Sequence, residues 1–329
     1  MNHSEILLNI YGSVFESDEQ ILILNYPNHF NTGDHAIFLG ELAIFETLGI
    51  TIRGVFTNHS FERIEDQIKG IIAQFGRKIS LVLHGGGSFG GIWPSEERAR
   101  LHYLDIARRL NLKFVQLPQT VNFTEQVNLL PWKQMESGSD TTLMVRDNQS
   151  FHWLQDEGIP SILSPDSVHF LDFHFDNDIK ESVTILKRRD FESTDEFLKL
   201  GLSEWDWRDT IRFREISKRN LLRLKGEFEN YLPFPSNKIS VKTARQLSLE
   251  IVLSGLNRIS RSQVLITDRL HGVLLGTLIE KDLIIVDDSH HKISNYLSTW
   301  MTDRKLWIFS NWQDAMPTIV NISAQKNDQ

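Results

Sequence analysis

The chain has 329 residues, of which 40% are hydrophobic and 24% charged, a composition typical of a globular protein large enough for two domains. Its 43 acidic and 35 basic residues give a formal net charge of −8, which argues against nucleic-acid binding but permits a local basic pocket. The sequence contains no cysteine, which excludes disulfides, thiolate catalysis and cysteine-ligated zinc.

The N-terminal segment and the overall hydropathy predict a protein without a membrane span. Residues 1–19 carry acidic side chains and lack the basic segment and long apolar run of a secretory signal. No stretch approaches the roughly 18 consecutive apolar residues that a spanning helix needs. We therefore expect a cytoplasmic protein, and we leave open a peripheral contact with the inner face of the membrane.

From residue 21 onward, short β-like runs alternate with amphipathic helical stretches, which is typical of βαβ units on a parallel sheet. The predicted strands are 21–26, 51–56, 79–83, 113–117, 142–145 and 161–163. The predicted helices between them are 34–48, 60–75, 95–110, 124–136 and 147–157. This alternation indicates a Rossmann-like domain over residues 1–177.

The second half resumes the alternation after an irregular middle. A strand is predicted at 182–187, followed by a charged, helical segment that ends at the breaker-rich residues 233–236. Later elements are helices near 244–260, 273–280 and 293–301, with strands at 264–267, 283–286 and 305–309. The prediction is an α/β fold with two Rossmann-like, doubly wound domains facing a cleft, the second over residues 178–329.

The strand-to-helix turn after residue 267 contains the residues with the clearest catalytic chemistry. In an open α/β sheet such a turn lies at the carboxyl end of the strand, where ligands bind. Arg269 offers a planar fork of donors for phosphate or carboxylate, and His271 is the side chain that most readily exchanges a proton near neutral pH. A structural alternative pairs Arg269 with Asp268 or a nearby acid and makes His271 a helix cap.

Three loops of the first domain are candidates for ligand contacts. Asn31, Gly33 and Asp34 follow the first strand, with Asp34 predicted as a helix N-cap. Consecutive glycines in a loop indicate close approach of a ligand to the backbone, and here they are Gly85, Gly86 and Gly87. A further strand ends near Gln119, whose amide could hydrogen-bond a sugar hydroxyl.

Two polar loops of the second domain are further candidates for ligand contacts. The basic run 187–189 follows a strand and is interpreted either as an anion site or as a solvated surface. His290 and His291 follow a late strand and invite a metal hypothesis. Adjacent histidines lack the i, i+4 spacing of a good site, so we predict no metal.

Six motifs occur along the chain in a characteristic order and spacing. They are Asn31-Thr32-Gly33-Asp34, His84-Gly85-Gly86-Gly87-Ser88-Phe89, Leu117-Pro118-Gln119, Arg146-Asp147, Arg269-Leu270-His271-Gly272 and residues 287–292. Together with Trp205-Asp206-Trp207-Arg208, they resemble the polysaccharide pyruvyl transferase family of bacterial exopolysaccharide clusters, and the likeness covers residue 26 to about residue 300. The resemblance implies a fold like that of GT-B glycosyltransferases, with phosphoenolpyruvate as donor and a sugar, often lipid-linked, as acceptor.

The resemblance also implies roles for particular residues. The Arg-Leu-His turn is linked to phosphoenolpyruvate in the family, which assigns donor binding and catalysis to Arg269 and His271. Arg188 best matches a second family arginine, and Lys292 completes the expected donor-binding set. The acceptor would be bound by Asn31, Gly33, Asp34, Gly85, Gly86, Gly87 and Gln119.

The chemistry of ketal formation fits these side chains. Two arginines can clamp the phosphate and carboxylate of the donor, and His271 is the candidate acid that protonates its methylene carbon. Asp34 and Asp166 are candidates for receiving hydroxyl protons. No cofactor is expected beyond the co-substrate, since arginines can neutralise the leaving phosphate. Two alternatives stay open: a glycosyltransferase that uses a sugar nucleotide, and a glycan-binding protein without catalytic activity.

Overall fold

The computed structural model describes residues 2–57, 64–122, 129–133, 140–175, 179, 181–190, 204–210, 238–303 and 306–325. The chain divides into two compact units. The N-terminal unit comprises the described residues of Met1–His29, Ile37–Phe170 and Phe213–Ser248, and the C-terminal unit comprises those of Phe30–Ala36, Leu171–Arg212 and Leu249–Gln329.

Each unit combines helices with a sheet, and the elements follow the predicted alternation. The described α-helices are α1 (His3–Val14), α2 (Thr32–Thr47), α3 (Ile64–Phe75), α4 (Pro94–Leu110), α5 (Leu130–Lys133), α6 (Asn148–Asp156), α7 (Val241–Ser260), α8 (Leu270–Leu278), α9 (Lys292–Trp300) and α10 (Trp312–Gln325). Short 3-10 helices lie at Ser167–Phe170 and Trp207–Thr210.

The N-terminal unit is built on a sheet with the strand order β10-β2-β1-β3-β5-β6-β7, in which β4 also pairs with β5. These strands are β1 (Gln20–Leu24), β2 (Thr51–Phe56), β3 (Ile79–Leu83), β4 (Gly86–Phe89), β5 (Phe114–Val121), β6 (Thr141–Val145), β7 (Ile162–Leu163) and β10 (Lys238–Ile239). The described pairings are parallel, apart from the antiparallel contact of β10 with β2.

Both faces of this sheet are covered, because neighbouring residues of one strand enter different hydrophobic clusters. In β1, Leu22 and Leu24 pack with α3 and α4, whereas Ile21 and Ile23 pack with α1 and α2. Burial on both faces explains why the strands are continuous apolar runs instead of alternating ones.

The C-terminal unit contains a second parallel sheet with the order β13-β12-β11-β8-β9. Its strands are β8 (Glu181–Leu186), β9 (Glu204–Trp205), β11 (Ser262–Thr267), β12 (Asp282–Val286) and β13 (Trp307–Phe309). The predicted α/β class with parallel sheets is therefore confirmed.

Several elements differ from the sequence prediction. The glycine stretch was expected to be a loop, yet residues 86–89 form β4 because the missing side chains let this segment lie against β5. The helices α1 and α10 were not predicted. Of the segment 191–230, the structure describes only β9 and the 3-10 helix beside it, and the breaker-rich residues 233–236 lie outside the described residues.

The division into units also differs from a single boundary near residue 177. After residue 212 the chain returns to the N-terminal unit, in which β10 pairs with β2. The helix α7 then spans both units, since residues up to Ser248 belong to the first and later ones to the second. Residues 30–36 belong to the C-terminal unit although they lie early in the sequence. Among the described residues, no helix combines the length and the apolar character that crossing a membrane requires.

We predict that Gly40→Ala destabilises the N-terminal unit. A Cβ at Gly40 in α2 would lie 2.6 Å from the carbonyl carbon of Ser167, a backbone atom that cannot swing away. The free energy of unfolding should fall by about 1 to 3 kcal/mol, as in other overpacked interiors. The matched control is Gly70→Ala in the exposed part of α3, where a Cβ meets nothing within 4 Å. This control should gain roughly 0.5 to 1 kcal/mol in urea unfolding. An unchanged free energy of unfolding in Gly40→Ala would contradict the close packing of Gly40 against Ser167.

Candidate active site

The carboxyl ends of three neighbouring strands bring the basic and acidic motifs of the C-terminal unit together. The strands β8, β11 and β12 are adjacent and parallel, so the residues that follow them share one edge of the sheet. These residues are Lys187–Asp190 after β8, Asp268–His271 after β11 and Asp287–Lys292 after β12.

Arg188 is a buried arginine with an exposed fraction of 8% and carboxylate partners on two sides. Its Nε and Nη2 donate to the two oxygens of Asp190 at 2.8 and 3.3 Å, and its Nη1 donates to Asp288 at 3.2 Å. The forked contact with Asp190 uses the guanidinium edge that suits a carboxylate or a phosphate.

Arg269 lies beside Arg188 and shares one of its partners. Its Nη2 lies 2.6 and 2.8 Å from the two oxygens of Asp206 and 3.5 Å from Oδ2 of Asp190. Its Nε is buried, and no described residue accepts a hydrogen bond from it. The two guanidinium groups thus converge on Asp190, and Arg269 retains a donor for a further anion. The structural alternative, in which Arg269 pairs with Asp268 or a nearby acid, is therefore met by the nearby acids Asp206 and Asp190.

Asp268 is a buried carboxylate that ties the end of β11 to β8 and α10. Its Oδ1 accepts a hydrogen bond from the backbone N–H of Arg188 at 2.8 Å, and its Oδ2 accepts one from Nε1 of Trp312 at 3.2 Å. Burial raises the pKa of Asp268 to about 6, although these two hydrogen bonds and the nearby arginines oppose the shift. Asp268 therefore fixes the backbone from which Arg188 extends.

His271 lies in the first turn of α8 and packs directly against Gly33. The His271 side chain has an exposed fraction of 9%. A Cβ at Gly33 would lie 2.6 Å from Cγ of His271 and would overlap its Nδ1, so only glycine permits this approach. The loop 30–36 was expected in the N-terminal domain, but it belongs to the same unit as His271.

The loop around Gly33 is closed by its own side chains. The helix α2 begins at Thr32, and Asn31 immediately before it accepts a hydrogen bond from the amide of Gly33 at 3.1 Å. The side-chain amide of Asn31 donates to Asp34 at 2.8 Å. The capping contact thus comes from Asn31, whereas Asp34 had been predicted as the N-cap.

The loop after β12 is a helix start built around two aspartates. Oδ1 of Asp288 accepts hydrogen bonds from the backbone N–H groups of His290 and Lys292, and Oδ2 of Asp287 lies 3.0 Å from Nδ1 of His291. Lys292 is buried, with 6% exposed. In the described part of the chain, no group of three or more histidine, cysteine or acidic side chains is placed to hold a metal ion.

The glycine-rich segment of the N-terminal unit is held from behind by buried polar groups. Glu41 accepts from the amide of Gly85 and from Nδ1 of His84, both at 2.8 Å. Gln119 accepts from the amide of Ser88 at 3.0 Å and donates to the carbonyl of His84 at 3.1 Å. The amide of Gly85 and the side chain of Gln119 therefore have partners within the protein, and Gly85 itself lies close to the Pro118 carbonyl.

A buried arginine and a buried glutamate also contact the glycine-rich segment. Arg100 is buried, contacts Glu97, and donates from Nε to Gln116 at 2.8 Å and from Nη2 to the hydroxyl of Ser88 at 3.1 Å. Glu97 in turn accepts from the amide of Gly90 at 3.3 Å. These contacts give the glycine segment one defined conformation.

Arg146 and Asp147 are adjacent in sequence but bind different partners within the protein. Arg146 donates to Asp166 at 2.8 Å, and Asp147 caps α6 by accepting from the amide of Ser150 at 2.8 Å. Both acids are buried. Asp166, a candidate for receiving hydroxyl protons, is therefore the partner of a buried arginine.

Sequence reasoning missed Asp190, Asp206, Glu41 and Arg100 as site residues. Asp206 carried a signal, since it is an acid between two tryptophans, and both of these are buried. Glu41 could also have been recognised, because it is an acid within the apolar stretch of α2, and the structure leaves it no exposed surface. Buried carboxylates need a partner, so such residues can be recognised as members of polar networks.

We predict that Asp268→Asn changes how stability depends on pH. The raised pKa means that the folded protein holds this proton more tightly than the unfolded chain, whose value is near 3.8. The contribution of protonated Asp268 to the free energy of unfolding is fully present below about pH 4 and is lost as the pH rises through about 6. Relative to wild type, the variant should gain up to about 3 kcal/mol in unfolding free energy between roughly pH 4 and 7. Urea unfolding across this range measures the difference, and a difference independent of pH would contradict the assignment.

Comparison with known proteins places the chain in a family. The profile of the family described as polysaccharide pyruvyl transferase matches residues 31–290. Pyruvyl transferase 1 of Schizosaccharomyces pombe is 29% identical over 315 residues, which cover 91% of this chain and 74% of the relative. EpsO of Bacillus subtilis, provisionally named a pyruvyl transferase, is 27% identical over 304 residues, which cover 88% of this chain and 87% of EpsO.

A solved structure shares the fold. A functionally uncharacterized protein of Klebsiella pneumoniae subsp. pneumoniae superposes with a TM-score of 0.60 at 14% identity, covering 94% of this chain and 99% of that one. The profile match extends over most of the chain and includes both the glycine segment and the Arg-Leu-His turn. The chain therefore belongs to the polysaccharide pyruvyl transferase family, whose enzymes transfer a pyruvyl group to a polysaccharide.

Proposed function

We propose that this enzyme takes the pyruvyl group from phosphoenolpyruvate and joins it as a ketal to one sugar of an exopolysaccharide or of its lipid-linked precursor, releasing phosphate. The observation that carries the proposal is the convergence of Arg188 and Arg269 on one carboxylate, one turn from His271. Two guanidinium groups that share a carboxylate can equally well share an anionic substrate.

The donor has two anionic groups, and the site supplies matching cations. In the proposal, Arg188 and Arg269 bind the phosphate and carboxylate in a fixed orientation, and the buried Lys292 adds positive charge at the neighbouring helix start. The unused Nε of Arg269 is a donor directed at neither of its aspartate partners. These cations also stabilise the phosphate as it leaves, so the proposal requires no metal or other cofactor.

Ketal formation then proceeds by proton transfer and two additions. His271 donates a proton to the methylene carbon of the donor, and the adjacent carbon becomes an oxocarbenium-like centre that one sugar hydroxyl attacks. The carbon–oxygen bond to phosphate breaks, and a second hydroxyl of the same sugar closes the ring. The two hydroxyl protons balance the step, since one restores His271 and the other leaves with phosphate.

The acceptor is assigned to the loops of the first half of the chain. We propose that Gly85, Gly86, Gly87 and Gln119 shape the acceptor surface of the N-terminal unit. Asn31, Gly33 and Asp34 lie beside His271. They are therefore suited to meet the hydroxyl groups that attack the donor, with Asp34 as a candidate base. We place the reaction on the cytoplasmic face of the membrane, where a peripheral contact would reach a lipid-linked acceptor.

The product provides the direct test of this function. The enzyme is incubated with phosphoenolpyruvate and candidate lipid-linked glycans, and mass spectrometry follows the pyruvyl ketal increment while phosphate release is measured. Nucleotide sugars serve as the competing donors. Transfer of a glycosyl group from a nucleotide sugar, without any pyruvyl ketal, would overturn the proposal.

We predict that Arg269→Ala and His271→Asn impair different steps. Arg269→Ala removes a charge-assisted contact, so the affinity for phosphoenolpyruvate should fall roughly tenfold to a hundredfold in calorimetry. His271→Asn keeps a hydrogen-bond donor but cannot deliver a proton, so turnover should fall by about 10² to 10⁴ with a smaller effect on donor binding. Near-normal turnover of His271→Asn would show that His271 is not the acid.

We predict that Gly33→Ala lowers turnover although it leaves every charged group in place. The added methyl would overlap the His271 ring, which must rotate away from its position. Turnover should fall at least about tenfold, in keeping with the sensitivity of catalysis to small misplacements. The exposed Gly70→Ala is the matched control and should keep wild-type activity. Unchanged activity of Gly33→Ala would contradict a role for the position of His271.

A further inference from the structure

The carboxylate of Asp190 occupies the space between the two arginines of the proposed donor site. Arg188 grips it with Nε and Nη2 at 2.8 and 3.3 Å, and Nη2 of Arg269 lies 3.5 Å from the same carboxylate. A ligand that uses the fork of Arg188 must therefore replace Asp190. The same edge of one guanidinium group cannot form two forked contacts at once.

Of the three aspartates around these arginines, Asp190 is the one placed to move. Its side chain is 20% exposed, whereas those of Asp206 and Asp288 are 3% and 2% exposed. Asp206 also accepts the amide of Trp207 at 2.7 Å, and Asp288 accepts two backbone amides at the start of α9. Asp206 and Asp288 are thus held by backbone amides of their own turns and are almost fully buried, whereas a fifth of the Asp190 side chain is exposed.

We propose that Asp190 is an internal ligand of the arginine pair, which the donor displaces on binding and which returns when phosphate leaves. This inference rests on the donor site of the proposed function. It makes Asp190 a positioning residue for the arginines in the empty enzyme and a competitor of every anion that enters. Because the carboxylate is tethered, its effective concentration at the arginines is high, on the order of millimolar or more.

Charge balance explains why displacement is needed. Arg188 and Arg269 carry two positive charges, and the three aspartates that contact them carry three negative ones. Lys187 and Lys292 are also buried at this edge of the sheet, yet a ligand with a phosphate and a carboxylate would place its negative charge directly beside these three carboxylates. Swinging Asp190 into solvent removes one negative charge and frees a complete guanidinium edge.

The exchange also favours product release. Phosphoenolpyruvate contacts the site through two anionic groups, whereas the phosphate product retains only one. The tethered carboxylate weakens the binding of both by a similar factor, so the product, which is held by fewer contacts, is the one more readily replaced. Return of Asp190 to the arginines would shorten the time that phosphate occupies the site.

The test compares anion binding by the full chain in Asp190→Asn and in a matched control. Asp190→Asn keeps the shape of the side chain and removes its charge. Asp282→Asn removes the same charge at the start of β12, the opposite end of a strand whose carboxyl end lies at the site. Isothermal titration with inorganic phosphate and with phosphoenolpyruvate gives the two affinities, and thermal unfolding checks that each variant is folded.

We expect Asp190→Asn to bind both anions about tenfold more tightly, and by a similar factor, because both must displace the same carboxylate. Inhibition by added phosphate should become stronger to the same extent, and the Asp282→Asn control should match wild type. Unchanged or weaker binding of both anions by folded Asp190→Asn would overturn the inference. Asp190→Ser, which is also uncharged, should give the same result and replaces Asp190→Asn if that variant does not fold.

The two proposals can fail separately. If phosphoenolpyruvate does not bind wild type or Arg269→Ala, the proposed donor is wrong, while the phosphate titration still decides the role of Asp190. A second outcome is that phosphoenolpyruvate binds wild type, does not bind Arg269→Ala, and binds Asp190→Asn no more tightly than wild type. That result would support the donor site and refute the role of Asp190 as an internal ligand.

Discussion

Burying two guanidinium groups at the end of a parallel sheet is the constraint that shapes the C-terminal unit. Arg188 and Arg269 follow the adjacent strands β8 and β11, where side chains are largely removed from water. An unpaired buried charge is strongly unfavourable, so carboxylates must surround them. Asp190, Asp206 and Asp288 meet this requirement from three different segments of the chain.

The backbone beneath these arginines is fixed by a separate carboxylate. Asp268 accepts the amide of Arg188 and the indole N–H of Trp312, and thereby ties β8 and α10 to the end of β11. Trp312 also lies under the ammonium group of Lys187, 5.2 Å from the ring centre. The side chains that would exchange partners during a reaction thus extend from a backbone that does not need to move.

The N-terminal unit also buries charged side chains, but it pairs them in a different way. Its buried charges, Arg100 with Glu97 and Arg146 with Asp166, are paired within the protein, and Glu41 and Gln119 hold the glycine segment. Glycine is needed there for close packing as much as for any ligand, since a Cβ at Gly85 would lie 2.9 Å from the carbonyl oxygen of Pro118.

By itself, the sequence determined the α/β class, most strand positions and the Arg269–His271 turn, because apolar periodicity and strand-to-helix turns are local features. The family resemblance also followed from motifs that can be found along the chain. Only the tertiary structure decided that residues 30–36 lie with His271, that β10 returns to the first sheet, and that Asp190 joins Arg188 to Arg269. These are contacts between residues far apart in sequence, or choices among several nearby acids, and no local pattern specifies them. Packing and charge compensation select such partners only once the strands are side by side.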